Sequence, residues 1–287
     1  MDPVSFIANP GVYELPADVY HRDPVQGGSL TSSGARRLLE MPPARWRHEQ
    51  EHPPAPTPAM ILGTAVHSMT LGVGEKVVKV DADDWRTKAA KAAKAEAETA
   101  GHVPLLREDY ARAEAMAEAV LSHPVAGALF DPARGRPEQT LVWQDEELKV
   151  WRRAMVDHLP HDDGRRPILA DLKTTTDASP REVSKTVAKW GYHCQAAWYL
   201  DGYRALWEGS DPAMLFVFVE KAAPYLVSVV ELDRHALAVG AELNRRALHI
   251  YAECRATGVW PGHSPEIELV ALPAWATNRL EELRSDV

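Results

Sequence analysis

Apolar residues along this chain follow two rhythms. Between about residues 29 and 121 they recur every three or four positions, which builds one face of a helix. From Glu138 they alternate with polar residues, which builds one face of a strand. Residues 1–28, rich in Pro, Gly and Asp, read as an extended arm. A helix is predicted from Ser29, where Thr31, Ser32 and Ser33 offer caps ahead of Ala35-Arg36-Arg37-Leu38-Leu39, and Pro42-Pro43 ends it. A short polar helix over 44–52 and a stiff proline connector over 53–58 follow. The apolar stretch 59–71 carries the small residues Gly63, Thr64 and Ala65, which suits a helix packed closely on a sheet. Residues 88–100 are nearly all Ala, Lys and Glu, helical in composition but without an apolar stripe, so an exposed helix or a lid is expected. An amphipathic helix over 109–121 ends near His123-Pro124.

Strands are then predicted over 140–144, 148–157 and 167–174. A long helix over 180–207, a strand pair over 214–220 and 226–232, and a helix from the cap Asp233 to about Thr257 complete the pattern. The tail from Trp260 has few strand signals and reads as a surface wrap. Hairpin-joined strands between helices indicate an α/β fold with a mixed sheet, rather than a doubly wound parallel one.

Composition narrows the function. The 287 residues hold 32 Lys and Arg against 41 Asp and Glu, a formal net charge of −9, with 45% hydrophobic residues. A disordered or fibrous chain is excluded, and the acidic balance argues against a protein that coats nucleic acid through diffuse positive charge. A local basic path stays open. There is no apolar run long enough to span a membrane and no basic leader before Glu14, so a cytoplasmic protein is expected. Two cysteines, Cys194 and Cys254, are too few for a disulfide framework or a four-thiolate iron–sulfur cluster.

The chemistry concentrates in Asp157 and Asp171-Leu172-Lys173. In a strand Asp171 and Lys173 share a face, and a turn over 158–166 would bring Asp157 beside Asp171. Two carboxylates at one point repel unless a cation lies between them, and oxygen ligands select Mg²⁺ or Mn²⁺. A lysine one pleat along can orient water or neutralise charge developing on a phosphate. Asp-x-Lys alone is common on surface strands, but Ile168-Leu169-Ala170 before it predicts a buried strand, where unpaired charge is costly. Gln195 and Tyr199, four apart, share one helix face and suit a phosphate or base contact, or else ordinary core packing. His67 on its apolar helix reads first as a core histidine.

Five segments together carry a family resemblance. They are Leu30-Thr31-Ser32-Ser33 with Pro42-Pro43-Ala44-Arg45-Trp46; Gly63-Thr64-Ala65-Val66-His67; Arg153 to Asp157; Asp171-Leu172-Lys173-Thr174-Thr175; and Gly191-Tyr192-His193-Cys194-Gln195-Ala196-Ala197-Trp198-Tyr199. In order and spacing they resemble the RecE (exonuclease VIII) family of phage and prophage exonucleases, within the PD-(D/E)xK superfamily and related to RecB nuclease domains. Trp260-Pro261-Gly262 resembles that family's closing motif. The resemblance implies a restriction-endonuclease-like core with an N-terminal helical elaboration, a nuclease domain over 29–262, an arm over 1–28 and a tail over 263–287. It implies Mg²⁺, with Mn²⁺ as a substitute, held by His67, Asp157, Asp171 and the Leu172 carbonyl, with Lys173, Asp171, Asp157 and Gln195 catalytic. Gln195, Tyr199, Tyr192 and Arg153 would face substrate, with Glu138 a further candidate. Val156 stands where the superfamily motif has proline. The implied activity is ATP-independent degradation of double-stranded DNA ends, 5′→3′, leaving 3′ overhangs for a single-strand annealing partner in phage recombination, with a homo-oligomer possible.

Two other readings compete with this one. His48-Glu49-Gln50-Glu51-His52 is a literal H-E-x-x-H, but Pro53-Pro54 stops the helix where a zinc peptidase helix continues. A DNA-end binding module with an inactive nuclease fold is disfavoured by the intact Asp157, Asp171 and Lys173. No P-loop and no Gly-x-Ser-x-Gly occurs. If the nuclease reading holds, Arg36, Arg37, Arg45, Arg47, Lys88, Lys91, Lys94, Arg152 and Arg153 would together line a DNA path, and basic residues should gather near the carboxylates.

Overall fold

The computed structural model describes residues 6–276. Its strands are β1 (Gly11–Glu14), β2 (Ser29–Thr31), β3 (Val77–Val80), β4 (Val103–Leu106), β5 (Gly135–Gln144), β6 (Trp151–Pro160), β7 (Ile168–Thr175), β8 (Ala213–Glu220) and β9 (Val227–Glu231). Its helices are α1 (Ala17–His21), α2 (Ser32–Glu40), α3 (Pro43–Glu51), α4 (Pro58–Leu71), α5 (Lys88–Thr99), α6 (Arg107–Ser122), α7 (Pro124–Leu129), α8 (Pro180–Trp190), α9 (Tyr192–Leu206) and α10 (Arg234–Thr257).

A seven-stranded mixed sheet runs in the order β1-β5-β6-β7-β8-β9, with β2 also paired to β6. Only β7–β8 and β2–β6 are parallel in it; the other neighbours are antiparallel. β8 reads Ala-Met-Leu-Phe-Val-Phe-Val and is central because both its faces are apolar. Phe216 and Phe218 enter the core shared with α2, α9 and α10, while Val217 and Val219 enter the core shared with α4 and α6. The sheet is thus a middle layer between two helical layers, as the alternating pattern predicted.

The structure departs from the sequence pattern in five places. The arm is not simply extended, since its residues 11–14 form β1 on the edge of β5. Ser29 does not begin a helix: Ser29–Thr31 pairs with β6, and α2 starts at Ser32 with the Thr31 hydroxyl accepting from Gly34 N at 3.0 Å. The predicted helix over 180–207 is two helices, broken at Gly191, whose φ of 65° is left-handed and open to glycine. Strands β3 and β4 form a separate parallel pair under α5, so the Ala/Lys/Glu helix buries Ala90 and Ala97 and is no free lid. The start of the tail packs inward: Trp260 stacks on Trp46 at 5.4 Å, and Pro261 O accepts from Ala44 N at 3.0 Å. Of the predicted arm and tail, residues 1–5 and 277–287 lie outside the described residues.

Candidate active site

One edge of β6 is shared by two strands. β2 pairs with it at residues 151–153, and β7 pairs with it at His158 opposite Ala170. Between these contacts the sheet forks. Ala154, Val156 and Leu159 all enter the core on the α9 side, so strict alternation along β6 breaks at Asp157. Across from it on β5, Glu138 has a φ of 46° and drops out of the ladder that joins Pro137 to His158 and Gln139 to Val156. A distortion of this kind re-aims a side chain without ending the strand.

The re-aimed carboxylate takes over a backbone position. Asp157 Oδ2 accepts from Leu172 N at 2.7 Å, and His67, on α4, donates from Nε2 to the Leu172 carbonyl at 2.7 Å. The other ring nitrogen of His67 is 3.3 Å from Asp157 Oδ2. Both main-chain groups of Leu172 are therefore held by side chains at the fork. On the α9 face of β7, Lys173 Nζ donates to Asp171 at 2.8 and 2.5 Å, and Gln195 donates its amide to the same carboxylate. Tyr199 follows Gln195 one turn along α9. The Lys173 ammonium lies 5.0 Å from the centre of the Tyr192 ring, which itself stacks on Phe216.

Electrostatics at this cluster are unbalanced toward negative charge. Burial, and then the neighbouring charge of Asp157, push the Asp171 carboxyl up to about 6 against the opposing pull of Lys173. Burial alone would lower Lys173, but Asp171 and Asp157 outweigh it and hold the ammonium above its ordinary value. Burial keeps the Tyr199 hydroxyl protonated. Glu138 is likewise raised, chiefly by burial, with His67 pulling the other way and Glu75 adding to the rise.

The scan against family models matches residues 34–273 to the PDDEXK-like domain of unknown function DUF3799. The chain belongs to this PDDEXK-like family. A putative exonuclease from Eubacterium rectale has a similar solved structure, with a TM-score of 0.63 at 12% identity over 93% of this chain and 98% of that one. A second solved structure, SSO0001, shares 13% identity over 67% of this chain and 85% of that one, with a TM-score of 0.30. No curated protein matches the chain.

In this PDDEXK-like domain the sequence motif and the geometry coincide at the fork, which brings together Asp157, Asp171, Leu172, Lys173, His67, Gln195 and Tyr192. Glu138 lies on the His67 side, with Gly74 close enough that an added Cβ would sit 3.0 Å from Glu138 Oε1. Tyr199 is buried, and with Gln195 it borders a cavity of about 140 Å³. That cavity is also lined by Tyr20, Ser32, Ser33 and Arg36. Of these, Ser32 and Ser33 belong to the family motif and Arg36 to the expected basic set, whereas Tyr20 lies in the segment read as an arm.

Arg153 is placed elsewhere. Its guanidinium is buried against Ser29 O at 3.0 Å, Ser29 Oγ at 2.6 Å and Asp23 at 2.8 Å, so it ties the N-terminal segment to β6. Arg152 is buried too, with its guanidinium over the rings of Trp143 and Trp198. Neither belongs to a surface path. Gly63 is not a tight contact, since an added Cβ would meet only Thr174 Oγ1 at 3.9 Å. His48 and His52 are exposed and stack on each other at 4.4 Å, and Glu49 between them pairs with Arg37 and Arg45. That arrangement is a polar helix end, and the zinc peptidase reading fails on it.

A divalent cation is implied by the family motif, and the donor chemistry fits one. Two carboxylates and a carbonyl are hard oxygen donors, an imidazole stands beside them, and Asp171 carries more negative surroundings than Lys173 neutralises. Among the described residues no three His, Cys, Asp or Glu side chains already converge on one point. The reason is visible: His67 is bonded to the Leu172 carbonyl, and Asp171 is bonded to Lys173 and Gln195.

Proposed function

We propose that this chain is a divalent-metal-dependent, ATP-independent exodeoxyribonuclease that hydrolyses phosphodiester bonds from double-stranded DNA ends. The observation that carries the reading is the sheet fork, where Asp157, Asp171 and Lys173 meet within a domain of the PDDEXK-like family. Asp157, Asp171, the Leu172 carbonyl and His67 would hold Mg²⁺, with Mn²⁺ as a substitute. When bound, the metal supplies charge stabilisation at phosphorus and a more acidic water.

The chain's own groups have separate tasks. Lys173 holds its proton at Nζ and presents it toward a phosphate oxygen or the attacking water. Gln195 fixes the rotamer of Asp171, and the Tyr192 ring bounds the space in which the ammonium moves. Base recognition plays no part, because backbone chemistry needs none.

The surroundings support a polyanionic substrate. A groove of about 950 Å³ is lined by Arg22, Arg37, Arg47 and Arg255 against Asp23, Glu49 and Glu51, with the buried Arg153 beneath them. Thr31 borders both this groove and the cavity beside Gln195, whose amide is bonded to Asp171. A 5′→3′ polarity, 3′ overhangs and an annealing partner in phage-type recombination rest on the resemblance to RecE. None of the described helices is long and apolar enough to cross a membrane.

The test is nucleotide release from linear and covalently closed duplex DNA with Mg²⁺ and then with excess EDTA. Release from the linear form alone, stopped by EDTA, is expected. Cleavage of the closed circle would make the enzyme an endonuclease, and binding without release would favour an inactive DNA-end module.

A further inference from the structure

The segment after Trp260 exposes most of its large apolar side chains. Ile267 and Leu269 are fully exposed, and Val270, Leu272 and Trp275 are largely so. Apolar surface gathered in one stretch marks an interaction site, whereas scattered exposed residues need no explanation. Glu266 and Glu268 are interleaved with them, and no Lys or Arg occurs between Pro261 and Ala276. The segment is therefore an acidic, apolar ribbon. It departs from a fixed point, because Trp260 is held by Trp46 and Tyr251.

A surface of opposite character lies between α9 and α10. A groove of about 440 Å³ there has Leu200, Leu237 and Leu248 among its lining, and Arg152 is buried beside them. Arg204, Arg234 and Arg245 stand around it with Asp201 as the one carboxylate in the lining. Arg152 takes Asp201, and Arg245 takes Asp145 and Glu147 from outside the groove. Among the described residues the guanidinium groups of Arg204 and Arg234 have neither an ion pair nor a hydrogen bond. The apolar floor suits side chains better than a phosphate backbone, and the rim suits carboxylates.

We propose that residues 263–276 of one copy dock in the α9–α10 groove of a second copy, placing Leu269 and Leu272 on the apolar floor and Glu266 and Glu268 against Arg204 and Arg234. Charge complementarity selects this occupant. The ribbon is acidic, the rim is basic, and in a single chain the ribbon lies exposed to solvent. The contact joins two different surfaces, so reciprocal exchange or a closed ring satisfies every tail.

Sedimentation velocity of the full chain across a concentration series at low salt tests the proposal. The wild type should exceed the 31.7 kDa of one chain. Leu269→Asp with Leu272→Asp, and separately Arg204→Glu with Arg234→Glu, should each weaken association at least about tenfold. All four positions are surface or half-exposed, and unchanged thermal unfolding of the variants would show that folding is intact. Adding Glu266→Arg and Glu268→Arg to the Arg204→Glu, Arg234→Glu variant should restore association. A single chain at every concentration, or an assembly indifferent to either pair of changes, would overturn it. So would a groove that binds single-stranded DNA and ignores the tail changes. None of these residues touches the Asp157–Asp171 cluster, so failure here leaves the nuclease reading to its own test.

Discussion

Asp171 carries the tension of the site in one side chain. Its carboxyl is nearly solvent-free, and burial together with Asp157 raises it from 3.8 to about 6. The native state therefore holds this proton more tightly than the unfolded chain does. Stability from that preference is complete below about pH 4 and is lost as pH rises through about 6, a difference on the order of 2–3 kcal/mol. Asp171→Asn should accordingly unfold at a higher temperature than the wild type at pH 8 in EDTA, with the gap closing toward pH 4. A variant less stable at pH 8 would mean that the Lys173 and Gln195 bonds outweigh the burial of charge. At this scale the sequence was informative: Asp157, Asp171, Lys173 and their meeting were legible from alternation and charge. What Gln195 does was not. Its position on a helix face suggested a substrate contact, while its amide is turned to Asp171.

At the scale of elements, the site depends on two breaks in regularity. One is the fork at β6, where Asp157 leaves the ladder and Leu172 gives its main-chain groups to side chains. The other is the turn at Gly191, which starts α9 at Tyr192 and so sets the angle at which Gln195 reaches β7. Neither was read in advance. A kink inside an alternating strand leaves composition unchanged, and helical patterning on both sides of Gly191 masked a single left-handed residue. Ser29–Thr31 is too short for a period of two to declare itself, and its capping residues imitate a helix start. The orientation of α9 is also pinned by α10. An added Cβ at Gly240 would lie 2.2 Å from His193 O and 2.6 Å from His193 C, backbone atoms that have no rotamer in which to yield. Gly240→Ala should lower stability by about 1–3 kcal/mol, read as a lower urea midpoint at unchanged slope. An unchanged midpoint would show that the α9–α10 contact gives way without cost.

At the scale of the whole molecule, the mixed sheet between two helical layers was legible because strands buried on both faces announce themselves, as β8 does. The small β3–β4 pair and the docking of the N-terminal segment were not, since both are made by contacts distant in sequence. Net charge was the least direct guide. A chain of formal charge −9 still sets Arg22, Arg37, Arg47 and Arg255 along one groove, with Asp23, Glu49 and Glu51 among them. Segregation is partial, because Glu49 and Glu51 pair with Arg37 and Arg47 within that groove. The proposed nuclease activity requires Lys173 to act on the phosphodiester and to do more than neutralise Asp171. The most direct measurement compares nucleotide release from linear duplex DNA by the wild type and Lys173→Ala with Mg²⁺, alongside DNA binding by fluorescence anisotropy. Lys173→Ala should lose release by about 10²–10³-fold with binding kept. Release that survives this change at near wild-type rate would contradict it.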